Sequence, residues 1–183
     1  MSIFKQIQCN GFILREFDQS DVYALAEIEF DSEVKQYLGF PKQTKEEWIQ
    51  DIKDNKIEIL GWIIQTDENQ VAGHCALSRY KPGGYLEVRV VIGKQFWGRN
   101  LGTKITTQLV NKAFQHPNTK AMIAVIHPNN RASLNIIRAL GFRRRGIITG
   151  NSGRVGHYVY RLTRNGYNQK INHKTVLDAM SLK

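Results

Sequence analysis

Between Tyr85 and Gln115 the chain reads YLEVRVVI, then GKQFWGRNLG, then TKITTQLVNKAFQ. This is a β-branched run, a loop with three glycines and an amphipathic run, and the succession constrains the fold more than any other stretch. Val88, Val90, Val91 and Ile92 favour extended backbone. Lys104, Gln108 and Lys112 on one side, with Ile105, Leu109, Val110 and Ala113 on another, predict a helix over 103–115. A glycine loop that turns a strand into a helix is one way to hold phosphate. First-turn amides have no partner within the helix and carry partial positive charge, and glycine lets an anion approach the backbone. Gly98, Arg99, Asn100, Leu101, Gly102 and Thr103 would supply those amides, and Arg99 also a guanidinium. The spacing matches neither G-x-x-x-x-G-K-[ST] nor G-x-G-x-x-G. On its own the loop reads equally as a glycine turn that caps a helix.

A second segment has a similar form. Ala121–Ile126 is a short apolar strand, broken by His127-Pro128-Asn129-Asn130. Arg131–Leu140 then reads as a helix stopped by Gly141. Asn130 is placed to cap it, with Ser133 in the first turn. Around these two units the pattern predicts strands over Gly11–Phe17, Ile57–Thr66, Val71–Tyr80, Tyr85–Ile92, Phe142–Ile148 and Arg154–Leu162. Lys81-Pro82-Gly83-Gly84 and Asn151-Ser152-Gly153 are turns between them. Helices are predicted over Ser20–Phe30 and Ser32–Tyr37, and after the capping-box sequence Thr44-Lys45-Glu46-Glu47. The order is a mixed α/β layer rather than a regular βαβ repeat. With no internal repeat or low-complexity linker, one domain over 1–164 is expected. A polar tail follows over 165–183, with a short amphipathic end around Val176, Leu177 and Met180.

Several motifs in this order resemble the GNAT N-acetyltransferase superfamily, above all its branch acting on ribosomal-protein N-termini. They are Phe12-Ile13-Leu14-Arg15, the acidic helix after Asp21, the strand Glu87–Ile92, Phe96 to Thr103, Pro128-x-Asn130-x-x-Ser133 and Leu140-Gly141-Phe142. The resemblance covers about residues 10–164. It implies a mixed, mostly antiparallel sheet with a V-shaped splay between two parallel strands, flanked by about four helices. It implies acetyl-coenzyme A as cosubstrate, with the pyrophosphate on the loop from Trp97 to Thr103 and the pantetheine arm between Glu87–Ile92 and Ala121–Ile126. Amides near Val91 and Ile92 would hold the acetyl carbonyl and its developing oxyanion. Asn130 would bond the pantetheine arm, and Ser133 would sit near the sulfur and assist the thiolate. Many relatives place a Tyr where Ile137 stands, which leaves that role to Ser133.

Three positions depart from the family pattern. Asn100 stands where Gly is usual, although Asn is the non-glycine residue most tolerant of left-handed backbone. Arg145-Gly146 replaces a common Glu-Gly pair, and Gly156 stands where relatives often carry Asp. The last two concern the acceptor side more than the cofactor. An attacking amine must also lose a proton. Glu87, on the face shared with Arg89 and Val91, is the candidate base through water, against the plainer reading of an ion-paired surface residue. His74, inside the apolar run VAGHCAL, reads first as a structural histidine.

Charge divides the chain. Residues 1–87 carry 15 acidic and 9 basic side chains, whereas residues 88–183 carry 17 basic ones and a single acid, Asp178. The basic half is expected to meet phosphates and the acidic half a cation. Arg143-Arg144-Arg145 is either a solvated face or a contact for an anionic partner such as a ribosome. Two cysteines and five scattered histidines leave neither a disulfide framework nor a metal site in the pattern. No signal peptide or apolar run of membrane-spanning length is visible, so a cytoplasmic protein, monomeric or homodimeric, is expected. The functional expectation is an acyltransferase that passes acetyl from acetyl-coenzyme A to a protein N-terminal amine in a ternary complex. The alternatives are a small amine acceptor (polyamine or aminoglycoside), or a non-catalytic module that binds coenzyme A or nucleic acid.

Overall fold

The computed structural model describes residues 6–9, 11–39, 43–57, 59, 61–80, 85–149 and 156–171. Eight strands form one sheet: β1 (Ile7–Cys9), β2 (Phe12–Arg15), β3 (Trp62–Thr66), β4 (Val71–Tyr80), β5 (Tyr85–Ile92), β6 (Ala121–Ile126), β7 (Arg143–Ile147) and β8 (Tyr158–Thr163). Their spatial order is β1-β2-β3-β4-β5-β6-β8-β7. Every neighbouring pair is antiparallel except β5 with β6. The helices are α1 (Val22–Phe30), α2 (Ser32–Lys35), α3 (Lys45–Lys53), α4 (Leu101–Gln115) and α5 (Arg131–Ala139), and residues 164–171 are also helical.

Alternation along the strands sorts the core onto two faces. On one, Phe12, Leu14, Ile64, Val88, Met122, Ala124, Tyr160 and Leu162 pack with Ile105 and Leu109 of α4 and Leu134 and Ile137 of α5. On the other, Ile63 packs with Val22, Leu25 and Ala26 of α1 and Trp48 and Ile52 of α3. Val91 joins Ile28 and Val34 on that second face. Arg15 ties the second layer to the sheet. Its Nη1 and Nη2 donate to both carboxylate oxygens of Asp21, each at 2.7 Å, just ahead of α1. The Thr44–Glu47 capping box forms at the start of α3 as its sequence implies.

Element bounds shift for local reasons. The strand expected from Ile57 begins only at Trp62. Gly61 has φ 107°, and a Cβ there would lie 2.1 Å from the Cys75 carbonyl oxygen, so the backbone turns where β3 meets β4. β1 was not foreseen. Gly11, at φ 88°, turns the chain so that these three residues pair with β2. The last strand starts at Tyr158 rather than Arg154, which itself lies outside the described residues. The two expected turns at 81–84 and 151–153 and the amphipathic end near Val176 also lie outside them. The start of the supposed polar tail is helical and docked. Tyr167 stacks on Phe114 of α4 at 4.5 Å and donates to Asn111 Oδ1 at 3.0 Å.

Candidate active site

The parallel pair is short. β5 and β6 meet at Leu86–Met122 and Glu87–Ile123, while β4 follows β5 to Ile92 and β8 follows β6 to Ile126. The outer partners hold the two arms, and beyond Ile123 they part. The gap is a cleft of about 670 Å³. Val88, Val90 and Ile92 line one wall, Ala124 and Ile126 the other, and the N-terminal ends of α4 and α5 close it.

The glycine loop delivers α4 to this cleft. Asn100 adopts φ 59°, ψ 12°, the left-handed conformation its position demands, and Gly98 has φ 77°. The first bond within α4 runs from the Lys104 amide to the Asn100 carbonyl, so the amides of Leu101, Gly102 and Thr103 precede it. Trp97, Gly98, Asn100, Leu101, Gly102 and Thr103 all line the cleft. Arg99 does not. Its guanidinium lies over the Phe96 ring, 5.4 Å from the centroid. The Trp97 indole N–H donates to the Ile92 carbonyl at 2.8 Å, pinning the loop to β5. Gly102 is needed for close packing, since a Cβ would lie 3.0 Å from Ile136 Cδ1 of α5.

The expected pair of carbonyl-binding amides needs correction. The Gly93 amide donates to the Ala72 carbonyl at 2.9 Å, and Val91 stands opposite His74 in the β4–β5 register. Backbone groups alternate sides along a strand, so residues 91 and 93 turn theirs to β4 while 90 and 92 turn theirs to the cleft. The Val91 carbonyl accordingly lies against Gly73, where a Cβ would be 2.0 Å away. Val90 and Ile92, not Val91, present main chain to the gap. Glu87 also falls elsewhere. It shares the Val91 face but sits on the last paired rung, about 13 Å along the strand from Val91, and is not among the cleft residues.

At the other wall, Asn130 and Ser133 both line the cleft. Asn130 caps α5 by accepting the Ser133 backbone N–H on Oδ1 at 3.0 Å. The cap therefore uses the amide of Ser133 and leaves its hydroxyl out of that role.

The sheet face that carries α1 holds His74, here in the structural setting its apolar run implies, and groups the sequence did not single out. His74 Nε2 is hydrogen-bonded to Glu29 Oε1 of α1, both side chains being buried, and Arg89 Nη2 lies 4.0 Å from the same oxygen. Counting from the Glu87–Ile123 rung, His127 is level with Val91 on the opposite arm and on the same face. Tyr37, beyond α2, meets the His127 ring at 5.9 Å, and His157, next to Tyr158 of β8, meets it edge-on at 5.1 Å. Burial, then the neighbouring His157 charge, pushes His127 below the usual imidazole range. Thirty residues separate His127 from His157 and ninety separate it from Tyr37, so no local pattern could have joined them. Among the described residues, no group of His, Cys, Asp and Glu is arranged to hold a metal ion, and no helix is long and apolar enough to cross a membrane.

Residues 12–143 match the acetyltransferase (GNAT) domain. The chain belongs to the GNAT acetyltransferase family. As a GNAT acetyltransferase it is an acyl-transferring enzyme, and two Bacillus proteins it resembles are named N-acetyltransferases. An uncharacterized N-acetyltransferase, p20, of Bacillus licheniformis is 24% identical over 143 residues, covering 74% of this chain and 80% of that protein. A GNAT-family acetyltransferase from Bacillus anthracis superposes with a TM-score of 0.73 at 20% identity, over 88% of this chain and 99% of that one. Spermidine N-acetyltransferase from Vibrio cholerae, solved with CoA and spermine, gives 0.70 at 11% identity, covering 87% and 99%. Ribosomal-protein-S5-alanine acetyltransferase from Vibrio fischeri gives 0.65 at 16%, covering 89% and 98%. At these identities the structural likenesses speak for the GNAT fold alone, and the splay between β5 and β6 is its central feature here.

Proposed function

We propose that this acetyltransferase passes the acetyl group of acetyl-coenzyme A to a protein N-terminal amine by direct attack in a ternary complex. The observation that carries the reading is the parting of β5 from β6 directly beside the N-terminus of α4. One cleft thus offers backbone amides for a pyrophosphate at one end and open strand edges for an extended arm along its length. The coenzyme fits these residues: Gly98, Asn100, Gly102 and Thr103 would hold the phosphates, and Trp97 and Leu101 the adjoining arm. Arg99 would reach a phosphate by swinging off Phe96. Asn130 would bond the pantetheine arm with the amide nitrogen its cap leaves over.

The coenzyme supplies an activated thioester. The Ile92 amide and its neighbour from Val90 face the place where the carbonyl oxygen would gain charge, and a donor fixed there stabilises the tetrahedral state. Ser133, its hydroxyl not needed for the cap, would assist the departing thiolate. Two features support the N-terminal amine as acceptor. An α-amine has a pKa of about 8 and is deprotonated at modest cost. The motif likeness to the ribosomal-protein branch points the same way. The absence of any acidic side chain between residues 95 and 171 further favours work beside a polyanion such as the ribosome. A small polyamine is the second reading, favoured by the acidic N-terminal half and by the spermine-bound fold relative.

The test is thiol release from acetyl-coenzyme A with a panel of N-terminal peptides, polyamines, aminoglycosides and simple amines. Peptides with a free α-amine are expected to give the highest kcat/KM. Faster turnover of a polyamine would select the second reading. Binding of acetyl-coenzyme A without thiol release from any acceptor would overturn both.

A further inference from the structure

His157 is 6% exposed, and neither of its ring nitrogens has a hydrogen-bond partner among the described residues. A buried polar group left this way calls for an explanation. Its position supplies one. Ile126 pairs with Tyr158, so the next residues outward, His127 and His157, are neighbours across β6 and β8. Tyr158, Tyr160 and Leu162 face α4 and α5, which puts His157 on the opposite face, with His127. Both rings therefore stand on the α1 side of the sheet, level with Val91 by register, behind the residues that line the cleft rather than among them.

Building on the acetyltransfer reading, we propose that His157 receives the proton of the attacking amine through water, with His127 as the residue that positions its ring. The acceptor would then enter from the α1–α2 side, past Tyr37. In the step, the amine nitrogen forms a bond to the acetyl carbon and the carbon–sulfur bond breaks. The sulfur leaves with the electron pair, the amine proton passes through water to the free ring nitrogen of His157, and the thiolate, hydrogen-bonded by the Ser133 hydroxyl, takes its proton from solvent. His157 later returns its proton to solvent.

The two imidazoles are not equivalent. His127 Nδ1 accepts the Asn129 backbone N–H at 3.2 Å, so its neutral form carries the proton on Nε2 and keeps no free lone pair. Neutral His157 keeps one. Adjacent imidazolium charges repel, and burial, then the neighbouring ring, disfavours the charged form of His127. No carboxylate forms an ion pair with either ring among the described residues, whereas His74 on the same face is engaged by Glu29. A proton on His157 is therefore not trapped by a counter-charge. Among the other charged groups on this face, Glu87 and Arg89 of β5 and Glu29 of α1 belong to the opposite arm, whereas Arg161 stands on β8 itself, four residues along from His157, with its guanidinium turned over the Tyr85 ring.

The experiment compares the full chain with its His157→Gln, His157→Ala and His127→Gln variants. For His157→Gln, kcat/KM near neutral pH should fall about 100-fold or more, with coenzyme A affinity by calorimetry unchanged within about twofold. Once the acceptor amine's own ionisation is divided out, the acidic limb of the pH–rate profile should disappear, and free imidazole should restore part of the His157→Ala rate. His127→Gln should displace that limb and cost less. A His157→Gln enzyme with the parent rate and profile overturns the proposal. So does a rate loss that keeps the limb and resists imidazole, which is how a purely structural histidine behaves. If the parent releases no thiol with any amine, the acetyltransfer reading has failed on its own. The His157 ring resonances, followed by NMR with coenzyme A and propylamine, then decide amine contact. A shift on adding propylamine is expected, and unmoved resonances overturn it.

Discussion

Gly102 separates steric from electrostatic demands at the head of α4. A Cβ at this position meets Ile136 Cδ1 at 3.0 Å and Ile92 Cδ1 at 3.7 Å, both ends of flexible side chains rather than backbone. Gly102→Ala therefore needs a shift of a few tenths of an ångström by Ile136, set against a gain in helix propensity of up to about 1 kcal/mol. Stability should stay within about 1 kcal/mol of the parent, and coenzyme A binding should change little. Gly102→Asp adds the same Cβ and a negative charge. A phosphate oxygen accepting the residue 102 or 103 amide at about 2.9 Å would sit roughly 5 Å from that carboxylate. At that separation each pair of like charges costs about 1–3 kcal/mol for an effective dielectric between those of water and a protein surface. A 2 kcal/mol loss corresponds to a roughly 30-fold weaker Kd. Calorimetric titration with coenzyme A at low and at about 0.5 M salt reads the effect. The gap between the Asp and Ala variants should narrow as salt rises, because screening shortens the reach of the added charge. Equal affinities for Asp and Ala, or a gap indifferent to salt, would refute the phosphate assignment of this loop.

Other consequences can be checked as directly. Ser133→Ala keeps the backbone amide that Asn130 caps, so stability should hold while kcat falls about tenfold or more if the hydroxyl serves the thiolate; an unchanged kcat removes that role. Asp21→Ala strips a bidentate partner from Arg15 and should cost about 2–3 kcal/mol in denaturant unfolding, limited by the partial solvation of Arg15. His127 has a lowered folded pKa, so below its unfolded value near 6.5 the unfolded chain binds the proton more readily and this residue makes stability fall as pH drops. His127→Gln should flatten that part of the pH–stability curve, as seen in urea midpoints between about pH 5 and 7. Cys75 is wholly buried, and burial pushes its thiol far up. It should resist aromatic disulfide reagents until the chain is unfolded, whereas Cys9, half-buried and with its thiol also raised by burial, should react slowly in the native state.

Local chemistry made much of the fold legible. Capping boxes, the left-handed Asn100, the glycine-loop helix and the period-two strands are each written within a few residues. They place α4 and α5 behind two strands of one sheet. Ten of the twelve anticipated site residues line the cleft for that reason. The exceptions and corrections share another cause. Glu87 is displaced because parallel register, which no stretch of sequence encodes locally, puts it on the last closed rung. Val91 turns its main chain away because β4 pairs with it, a fact set by the Gly73 approach and the Gly93 bond. Arg99 rests on Phe96, a choice made by side-chain packing.

The residue pattern alone thus determined a mixed α/β layer and a glycine loop that opens a helix on the basic half, since both rest on local backbone preference and charge. Tertiary structure alone decided which amides face the gap and which ionisable groups gather on the sheet face that carries α1. Glu29 with His74, and Tyr37 with His127 and His157, come together from distant segments only when strand register and the packing of α1 and α2 bring them to one face. Hydrogen-bond pairing between strands and burial between layers are long-range interactions. A linear reading can count their participants but cannot tell which of them meet.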